Sequence, residues 1–173
     1  MKSKLKNLQT KEGVIIVVVN MKIDNIVYHP DSVEKVSNWI YKEFVEEKGE
    51  KSLEFVIERF KNRNIDEFPI SFIAIVNGMC AGVISIFDND LGTREDLTPW
   101  LAGLYVDENF RGNKIAEALI NTVFKKCKEM GYTKIYLRTE HTAEYYQKKG
   151  WTFLENTVDE YGEETTVFYM SLK

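Results

Sequence analysis

The sequence predicts an α/β fold in which helices lie on the faces of a central mixed sheet. The chain has 173 residues and is 44% apolar, which is the size of one domain and enough to build a core without disulfides or metal ions. Beyond residue 20, segments with helical periodicity alternate with β-rich segments. Two of the β-rich segments are separated by Asn77-Gly78, the strongest short signal for a β-hairpin.

The first half of the chain contains one predicted strand and two predicted helices before that hairpin. The strand covers residues 23–28, and the next helix begins where Asp31 and Glu34 have capping-box spacing and ends at Gly49. The predicted buried stripe of this helix consists of Val33, Val36, Ile40 and Phe44. Ser52 is the predicted N-cap of the second helix. The apolar residues on one face of that helix are Leu53, Val56, Ile57 and Phe60.

The rest of the chain alternates between strands and helices. The hairpin strands cover residues 68–76 and 79–87, and a polar loop follows at 88–97. A helix is predicted at 115–130, because apolar residues recur at helical spacing and Gly131 follows them. Its inward residues are Ala116, Leu119, Ile120, Val123, Phe124 and Cys127. The remaining predicted elements are strands at 100–106, 134–139, 151–154 and 166–172 and a short helix at 142–149.

The composition excludes several classes of function. The 23 Lys and Arg residues against 27 Asp and Glu residues give a formal net charge of −4, so the chain as a whole does not attract nucleic acid or an anionic membrane surface. Only 10 Gly and 3 Pro argue against collagen and low-complexity sequence. We therefore expect no nucleic-acid partner and no membrane partner. An anionic ligand would have to be held by local groups.

Residues 1–20 are interpreted as an extension that precedes a single domain at residues 21–173. Four lysines come before an apolar run at residues 14–19, and signal peptides have a similar charge pattern. The apolar run is shorter than the roughly 7–15 residues of a signal-peptide core, and Asn20 follows it in place of a small-residue cleavage site. Nowhere does the sequence reach the roughly 18 apolar residues of a membrane span. We therefore expect a cytoplasmic protein.

The cysteines and histidines do not suggest a metal site. Cys80 and Cys127 lie far apart in apolar segments, as core residues do in a reducing compartment. Neither belongs to a Cys-x-x-Cys motif, and His29 and His141 do not complete a zinc-binding set. The sequence therefore predicts no metal.

The most informative segment is the turn between the strand at 100–106 and the helix at 115–130. A glycine-bearing turn at the start of a helix leaves several backbone N–H groups unpaired, and together with the helix dipole they form a site for a phosphate or pyrophosphate. Arg111, next to Gly112, adds a charged donor. The segment has neither the Gly-Lys-Ser/Thr end of a Walker loop nor the three glycines of a dinucleotide fingerprint. Taken alone, it also fits an ordinary strand-to-helix connection.

A second motif comes directly after the next predicted strand and has the sequence Tyr145-Tyr146-Gln147-Lys148-Lys149-Gly150-Trp151. With these two motifs the sequence resembles the GNAT superfamily of acyl-CoA-dependent N-acyltransferases over about residues 22–173. The phrase Thr98-Pro99-Trp100-Leu101-Ala102 resembles a bacterial subgroup. The resemblance implies a mixed, mostly antiparallel sheet flanked by helices, with acetyl-CoA as co-substrate.

The resemblance also assigns cofactor-binding residues. The family's Arg/Gln-x-x-Gly-x-Gly/Ala loop matches Arg111, Gly112, Asn113, Lys114, Ile115 and Ala116. Lys114 stands where the family has its central glycine. If this position needs a positive φ, lysine would destabilise the fold by about 1 kcal/mol or more; if the position is helical, lysine has no such cost. The strand residues that match those pairing with the pantetheine arm are Leu104, Tyr105 and Val106. That arm fits only if their strand diverges from the one at 134–139. Lys148 is either a ligand of the 3′-phosphate region or a solvated lysine.

The resemblance and the chemistry of the reaction predict three catalytic candidates. Tyr146 matches the family's tyrosine four residues before the Gly-aromatic pair. An amine that attacks a thioester expels a thiolate, which a nearby phenol can protonate, so Tyr146 is the predicted general acid; the alternative is that it only packs. Asp96 and Glu140 are the candidate bases for the protonated amine. Each also fits a simpler role, Asp96 in a solvated loop and Glu140 at a helix N-terminus, and a water chain would need neither.

The predicted activity is transfer of acetyl from acetyl-CoA to a primary amine of a small molecule by direct attack. The excess of acidic over basic residues favours a cationic acceptor. The aromatic residues that can line its site, or else belong to the core, are Trp39, Tyr41, Trp100 and Tyr105. The alternatives are acetylation of a protein N-terminus or lysine, a non-catalytic acyl-CoA sensor, for which Lys114 argues, and a domain that binds another phosphate ligand. The oligomeric state is expected to be a monomer or a homodimer.

Overall fold

The computed structural model describes residues 6–10, 13–17 and 20–173, with side chains from Asn20 onward. The strands are β1 (Lys6–Thr10), β2 (Gly13–Val17), β3 (Met21–Asn25), β4 (Ile70–Val76), β5 (Met79–Phe87), β6 (Trp100–Val106), β7 (Lys134–Thr139), β8 (Thr152–Val158) and β9 (Glu164–Ser171). The helices are α1 (Val33–Ile40), α2 (Leu53–Lys61), α3 (Ile115–Glu129) and α4 (Ala143–Lys148).

Strands β3 to β9 form one seven-stranded sheet in the order β3-β4-β5-β6-β7-β9-β8. All neighbours in it are antiparallel except β6 and β7, which run parallel. The sheet therefore consists of two antiparallel halves, β3-β4-β5-β6 and β7-β9-β8, joined through one parallel pair. The predicted mixed, mostly antiparallel sheet flanked by helices is confirmed.

Among the described residues, strands β1 and β2 pair only with each other, as a two-stranded antiparallel sheet in which Leu8 lies opposite Ile15. This hairpin falls within the predicted extension at residues 1–20. The side chains of the apolar run at 14–19 lie outside the described residues. The division of the chain into an extension and a domain stays a prediction.

The predicted hairpin at Asn77-Gly78 is confirmed. Val76, the last residue of β4, is paired with Met79, the first residue of β5, and the two residues between them have φ values of 50° and 82°. A two-residue hairpin turn of this kind needs positive φ at both central positions, which Asn and Gly supply at least cost.

Both faces of the sheet are covered. Ile84 of β5 packs in the cluster with α3, and its neighbour Val83 packs in the cluster with α1 and α2, as the two-residue period of a strand requires. The largest buried residues on the α3 face are Ile70, Ile84, Ile86, Ile115, Leu119, Ile135, Leu137 and Phe168. A smaller cluster on the opposite face consists of Leu91, Leu97, Trp100 and Val167. The loop after β5 therefore covers the part of that face that α1 and α2 leave open.

The start of the domain departs from the prediction at the first strand and at the first cap. The strand ends at Asn25, before the predicted residue 28, because the Asn25 side chain accepts a hydrogen bond from Val27 N–H and begins a 3₁₀ turn. Asp31, the predicted capping residue, lies inside a second 3₁₀ turn (Pro30–Ser32), and no side chain of residues 20–173 caps α1.

The predicted buried stripe of the first helix is confirmed at Val33 and Val36 and is wrong at Phe44, which is 45% exposed. Beyond Ile40 the helix widens into a π-helical turn over Tyr41–Val45. The wider turn breaks the 3.6-residue period that placed Phe44 on the buried stripe. Gly49 ends the segment in the left-handed conformation, as predicted.

The second predicted helix is confirmed as α2. Ser52 Oγ accepts a hydrogen bond from Phe55 N–H at 3.2 Å, and Val56 and Phe60 are buried. In the last hairpin, pairing continues to Val158 opposite Glu164. Strand β8 therefore continues beyond residue 154, its predicted end, and strand β9 begins before residue 166, its predicted start. Within the part of the chain that the structure describes, none of the helices combines the length and hydropathy needed to cross a membrane.

Gly82 brings α3 close to the sheet. A Cβ atom at this position would lie 2.9 Å from the carbonyl oxygen of Tyr105 and 3.3 Å from Leu119 Cδ1, so no larger residue fits without displacing the strand or the helix. The N-terminal half of α3 is thereby seated against β5 and β6.

Candidate active site

The parallel strands β6 and β7 are paired at one bridge among the described residues, and we call the gap between them beyond this bridge the cleft. Their register contains one pair, Trp100 opposite Tyr136, and Tyr136 N–H also donates to the carbonyl oxygen of Pro99 at 2.9 Å. The residues of β6 beyond Trp100 have no partner on β7 among the described residues. The strands therefore meet at this bridge and diverge towards their carboxyl ends, which is the divergence that the pantetheine arm requires.

A bulge at Gly103 disturbs the other side of β6. Gly103 has a φ of 59°, and the register between β5 and β6 shifts after the pair Ser85–Ala102. A β-bulge bends its strand and turns backbone groups out of the ladder. The bulge could have been predicted from the sequence, because an isolated glycine inside a predicted strand indicates a bulge.

The turn after β6 is braced by its own side chains. Asp107 Oδ1 accepts hydrogen bonds from the backbone and side-chain N–H groups of Asn109 at 3.0 Å. Arg111 Nε donates to the carbonyl oxygen of Val106 at 3.2 Å, and Asn113 Nδ2 donates to the carbonyl oxygen of Phe110 at 3.0 Å. These bonds hold the backbone in one conformation between the strand and the helix.

The backbone N–H groups at the start of α3 lack acceptors. Among the described residues, those of Gly112 through Glu117 donate to no protein atom, and the first helical bond runs from Ala118 N–H to the carbonyl oxygen of Lys114. No carboxylate lies within salt-bridge distance of Arg111 in residues 20–173. Unpaired N–H groups, a helix dipole and a guanidinium make a site for an anionic group such as a phosphate.

Lys114 adopts the left-handed conformation, with φ 58° and ψ 24°. Of the two alternatives drawn from the sequence, the helical one is therefore wrong, and Lys114 occupies a conformation that favours glycine. Gly112 also has positive φ, at 79°, and open space where a Cβ would lie. The two residues turn the backbone so that consecutive N–H groups face outward before the helix begins.

The predicted pantetheine-pairing residues lie on the wall of the cleft. Leu104, Tyr105 and Val106 follow the bulge on β6 and lead directly into the turn. Lys148 lies apart from them on α4, where its side chain is 78% exposed and its Nζ is 3.7 Å from a Glu144 carboxylate oxygen.

Tyr146 is half-buried on the α3 face of the sheet. Its ring centroid lies 5.9 Å from that of Trp151 and 6.5 Å from that of Phe168. Burial raises the pKa of the phenol to about 12, with a smaller contribution from Tyr145. Tyr146 is therefore a neutral phenol at physiological pH, and it carries a proton that it can donate.

The two predicted bases lie in different surroundings. Asp96 is exposed and accepts two 2.8 Å hydrogen bonds from Arg94, which lower the pKa of its carboxyl group. Glu140 follows β7, with its Oε1 3.4 Å from Nη1 of Arg138. The structure places Glu140 next to the cleft strand and Asp96 in a separate surface ion pair.

An ionic network next to Glu140 was not predicted from the sequence. Arg138 lies 3.4 Å from carboxylate oxygens of Asp90 and Asp159, and Asp159 lies 3.5 Å from Nζ of Lys48. The network thus connects β7, the loop after β5, the β8–β9 turn and the segment after α1. The sequence feature that could have indicated this network is Arg138 itself, a charged residue that alternates with apolar residues inside a strand.

The aromatic candidates separate into two groups. Trp100 is fully buried and its Nε1 donates to the carbonyl oxygen of Leu97 at 2.6 Å, so it belongs to the core. Trp39 is partly buried and its ring lies 5.3 Å from that of Tyr105 on β6. Tyr41 is also partly buried against the α1–α2 cluster. The partly exposed rings can therefore contribute to an acceptor site on the α1 side of the cleft.

The sequence model of the acetyltransferase (GNAT) family matches residues 33–151. This segment is more than half of the chain and contains β4 to β7, the cleft and the turn after β6. The chain belongs to the GNAT acetyltransferase family. The predicted resemblance and the predicted class of enzyme, an N-acetyltransferase, are confirmed.

Solved GNAT structures share the fold. An aminoglycoside 6′-N-acetyltransferase complexed with coenzyme A matches with a TM-score of 0.68 at 19% identity, over 88% of this chain and 97% of that chain. A chimera of Vibrio cholerae spermidine N-acetyltransferase SpeG and hSSAT has a TM-score of 0.67 at 15% identity, over 88% and 95%. The putative acetyltransferase yncA from Salmonella typhimurium with its cofactor acetyl-CoA has a TM-score of 0.67 at 14% identity, over 88% and 94%.

At these identities the similarity to solved structures establishes the fold of this GNAT protein and not its acceptor. No curated protein matches the sequence.

Proposed function

We propose that this GNAT protein transfers acetyl from acetyl-CoA to the primary amine of a small molecule by direct attack. The observation that carries the proposal is the cleft between β6 and β7, which is closed at Trp100–Tyr136 and leads at its open end to the unpaired N–H groups before α3. A long thioester with an anionic end would fit between strands that diverge towards a set of unpaired N–H groups.

The residues present fit such a co-substrate. The N–H groups of Gly112 through Ala116 and the guanidinium of Arg111 would hold the pyrophosphate, while the backbone of Leu104, Tyr105 and Val106 would accompany the pantetheine arm. Lys148 remains the proposed contact for the 3′-phosphate region. Acetyl-CoA supplies an acyl group activated for attack by an amine.

The proposed proton donor is Tyr146. Its raised pKa, about 12, keeps the phenol protonated, and its position on α4 places it on the α3 face of the strands that enclose the cleft. The expelled thiolate would take the proton of the phenol. The routes that the sequence offers for the amine to lose a proton are Glu140, Asp96 and a water chain.

The proposed acceptor is a small cationic amine. Carboxylates outnumber cations in the network beside the cleft, where Asp90, Glu140 and Asp159 surround Arg138. Lys35 Nζ lies 4.8 Å from the centroid of the partly buried Trp39 ring, and an acceptor cation would take the place of this Nζ over the ring. Two of the structurally similar proteins are named for aminoglycoside and spermidine acetylation. We also propose that the protein is cytoplasmic, because the buried Cys80 and Cys127 form no disulfide and suit a reducing compartment. The proposed oligomeric state is a monomer or a homodimer.

The proposal is tested by measuring thiol release from acetyl-CoA with a panel of polyamines, aminoglycosides, amino acids and peptides. We expect release with a cationic small molecule and formation of its N-acetyl product. Release only with peptides would show a protein acetyltransferase instead. Binding of acetyl-CoA without turnover of any amine would show a sensor.

A further inference from the structure

Tyr146 and Arg138 lie on opposite faces of the sheet. Phe168, whose ring is near Tyr146, lies opposite Leu137 in the β7–β9 ladder, so Leu137 and Tyr146 share the α3 face. Arg138 is the next residue along β7 and therefore projects to the other face. There its side chain meets Asp90 and Asp159.

Asp90 lies near the closed end of the cleft. Its loop follows Phe87, the last residue of β5, and Phe87 is paired with Trp100, the residue that makes the bridge to Tyr136. Arg138 lies two residues beyond that bridge, where β7 diverges from β6, and its Nε is 3.4 Å from Asp90 Oδ2. The ion pair thus stands beside the first open part of the cleft.

The surroundings of Asp90 keep its carboxyl group in the range of a proton acceptor at neutral pH. The side chain is only 25% exposed. Burial raises its pKa to about 6; attraction to Arg138 opposes this effect, and repulsion from Glu140 and Glu160 adds to it. The charged groups that face Asp90 are therefore Arg138 on β7, Glu140 after β7 and Glu160 in the β8–β9 turn.

We propose that Asp90 is the general base that takes a proton from the acceptor amine, with Arg138 holding its carboxylate at the closed end of the cleft. This inference rests on the proposed function. It places the base and the acid, Tyr146, on opposite faces of the same cleft. The amine then enters from the α1 face, and the thiol group leaves towards the α3 face.

The proton transfers balance. The acceptor ammonium gives one proton to the Asp90 carboxylate, and its nitrogen lone pair forms the C–N bond at the thioester carbonyl carbon. The C–S bond breaks, and its electron pair takes a proton from the Tyr146 hydroxyl group. The second proton lost by the nitrogen returns to the Tyr146 oxygen, and Asp90 releases its proton to water. The products are an N-acetyl amine, a free thiol and one proton in solution.

Asp90 suits this role better than the carboxylates predicted from the sequence. Asp96 is 63% exposed and accepts hydrogen bonds from two nitrogens of the Arg94 guanidinium, Nε and Nη2, which favours its ionised form and weakens it as a base. Glu140 is more exposed than Asp90, at 34%. Burial raises the pKa of Asp90 to about 6, so the group is an ionised carboxylate at pH 7. Its pKa also lies near the operating pH, where the Brønsted relation makes general-base catalysis most effective.

The test compares Asp90→Asn with Asp88→Asn, which removes an exposed carboxylate from the same loop. The acceptor is the amine of the panel that wild type acetylates fastest. We expect Asp90→Asn to lower kcat/KM by about a hundredfold or more, Asp90→Glu to recover part of the rate, and Asp88→Asn to behave like wild type. The acidic limb of the kcat/KM profile, which should fall near pH 6 in wild type, should be absent from Asp90→Asn.

Two results would overturn the assignment. If Asp90→Asn retains kcat/KM within about threefold of wild type, or keeps the acidic limb while binding acetyl-CoA normally in calorimetry, Asp90 is not the base. If wild type binds acetyl-CoA and acetylates no amine, the proposed function and this inference fall together. Turnover by wild type that is insensitive to Asp90 overturns the inference alone.

Discussion

Trp100 and Tyr136 form the backbone bridge at which the two halves of the sheet meet. Their rings also contact each other, with centroids 5.9 Å apart, and Trp100 is fully buried. The bridge fixes the closed end of the cleft, while the bulge at Gly103 bends β6 just beyond it. This combination separates the strands and still leaves them in one sheet.

Replacing Tyr146 with Phe tests the proposed acid. The substitution removes the hydroxyl group and keeps the ring that packs near Trp151 and Phe168. We expect kcat to fall at least about tenfold, equivalent to about 1.4 kcal/mol of barrier, with little change in the Kd of acetyl-CoA. Tyr145→Phe, on the exposed neighbour, is the matched control. An unchanged kcat in Tyr146→Phe would leave this tyrosine with a packing role only.

Replacing Lys114 with Gly tests the left-handed turn. Because Lys114 has a φ of 58°, glycine should raise the free energy of unfolding by about 1 kcal/mol. Lys114→Ala removes the charge and retains the unfavourable φ, so it should bring no gain in stability. Denaturant titrations of the three proteins measure the difference. Equal stability of the Gly and Ala variants would show that the backbone at this position costs nothing.

Replacing Arg111 with Ala tests the anionic end of the cleft. We expect the Kd of acetyl-CoA to rise about tenfold, or about 1.4 kcal/mol, and its dependence on salt to weaken, because a charged donor is lost. Lys125→Ala, at a side chain 79% exposed further along α3, serves as the control. Calorimetry measures both variants. A Kd unchanged in Arg111→Ala would remove this guanidinium from the binding site.

The stability of the β8–β9 turn should depend on pH through Asp159. Burial alone would raise its pKa, but the backbone N–H groups of Glu163 and Tyr161 and the nearby Lys48 and Arg138 outweigh it and lower the pKa. A lowered pKa stabilises the fold above the ordinary aspartate pKa of about 4, and this stabilisation is lost as the pH falls through the lower, folded value.

Accordingly, Asp159→Asn should reduce the free energy of unfolding by about 1–2 kcal/mol at pH 7. The difference from wild type should shrink when the pH falls below about 4. Denaturant titrations at pH 7 and at acidic pH measure it. A difference that is the same at both pH values would mean that the charge of Asp159 does not stabilise the fold.

Elements with a local signal could be predicted from the sequence. Strands β6 and β7 have the predicted bounds, and Asn77-Gly78 and Ser52 act as predicted, because a turn or a cap depends on a few consecutive residues. The π-helical turn at Tyr41–Val45 was not predictable in this way, because the apolar pattern continues through it with helical spacing.

The candidate site was predictable where motifs mark it and not where distant residues meet. The turn at Arg111–Ala116 and Tyr146 carry family motifs. Asp90 and Arg138 are 48 positions apart in the sequence, and only the pairing of strands brings them together. The divergence of β6 from β7 is likewise a property of the ladder between two strands. The left-handed conformation of Lys114 was not predictable either, because a lysine side chain gives no local preference for positive φ.

Calorimetric titration of the wild-type protein with acetyl-CoA tests the central claim most directly, because every proposed role depends on the cleft between β6 and β7 holding this thioester. We predict saturable binding of one acetyl-CoA per chain, accompanied by an increase in Tm. The absence of both heat and a Tm shift at millimolar acetyl-CoA would contradict the account.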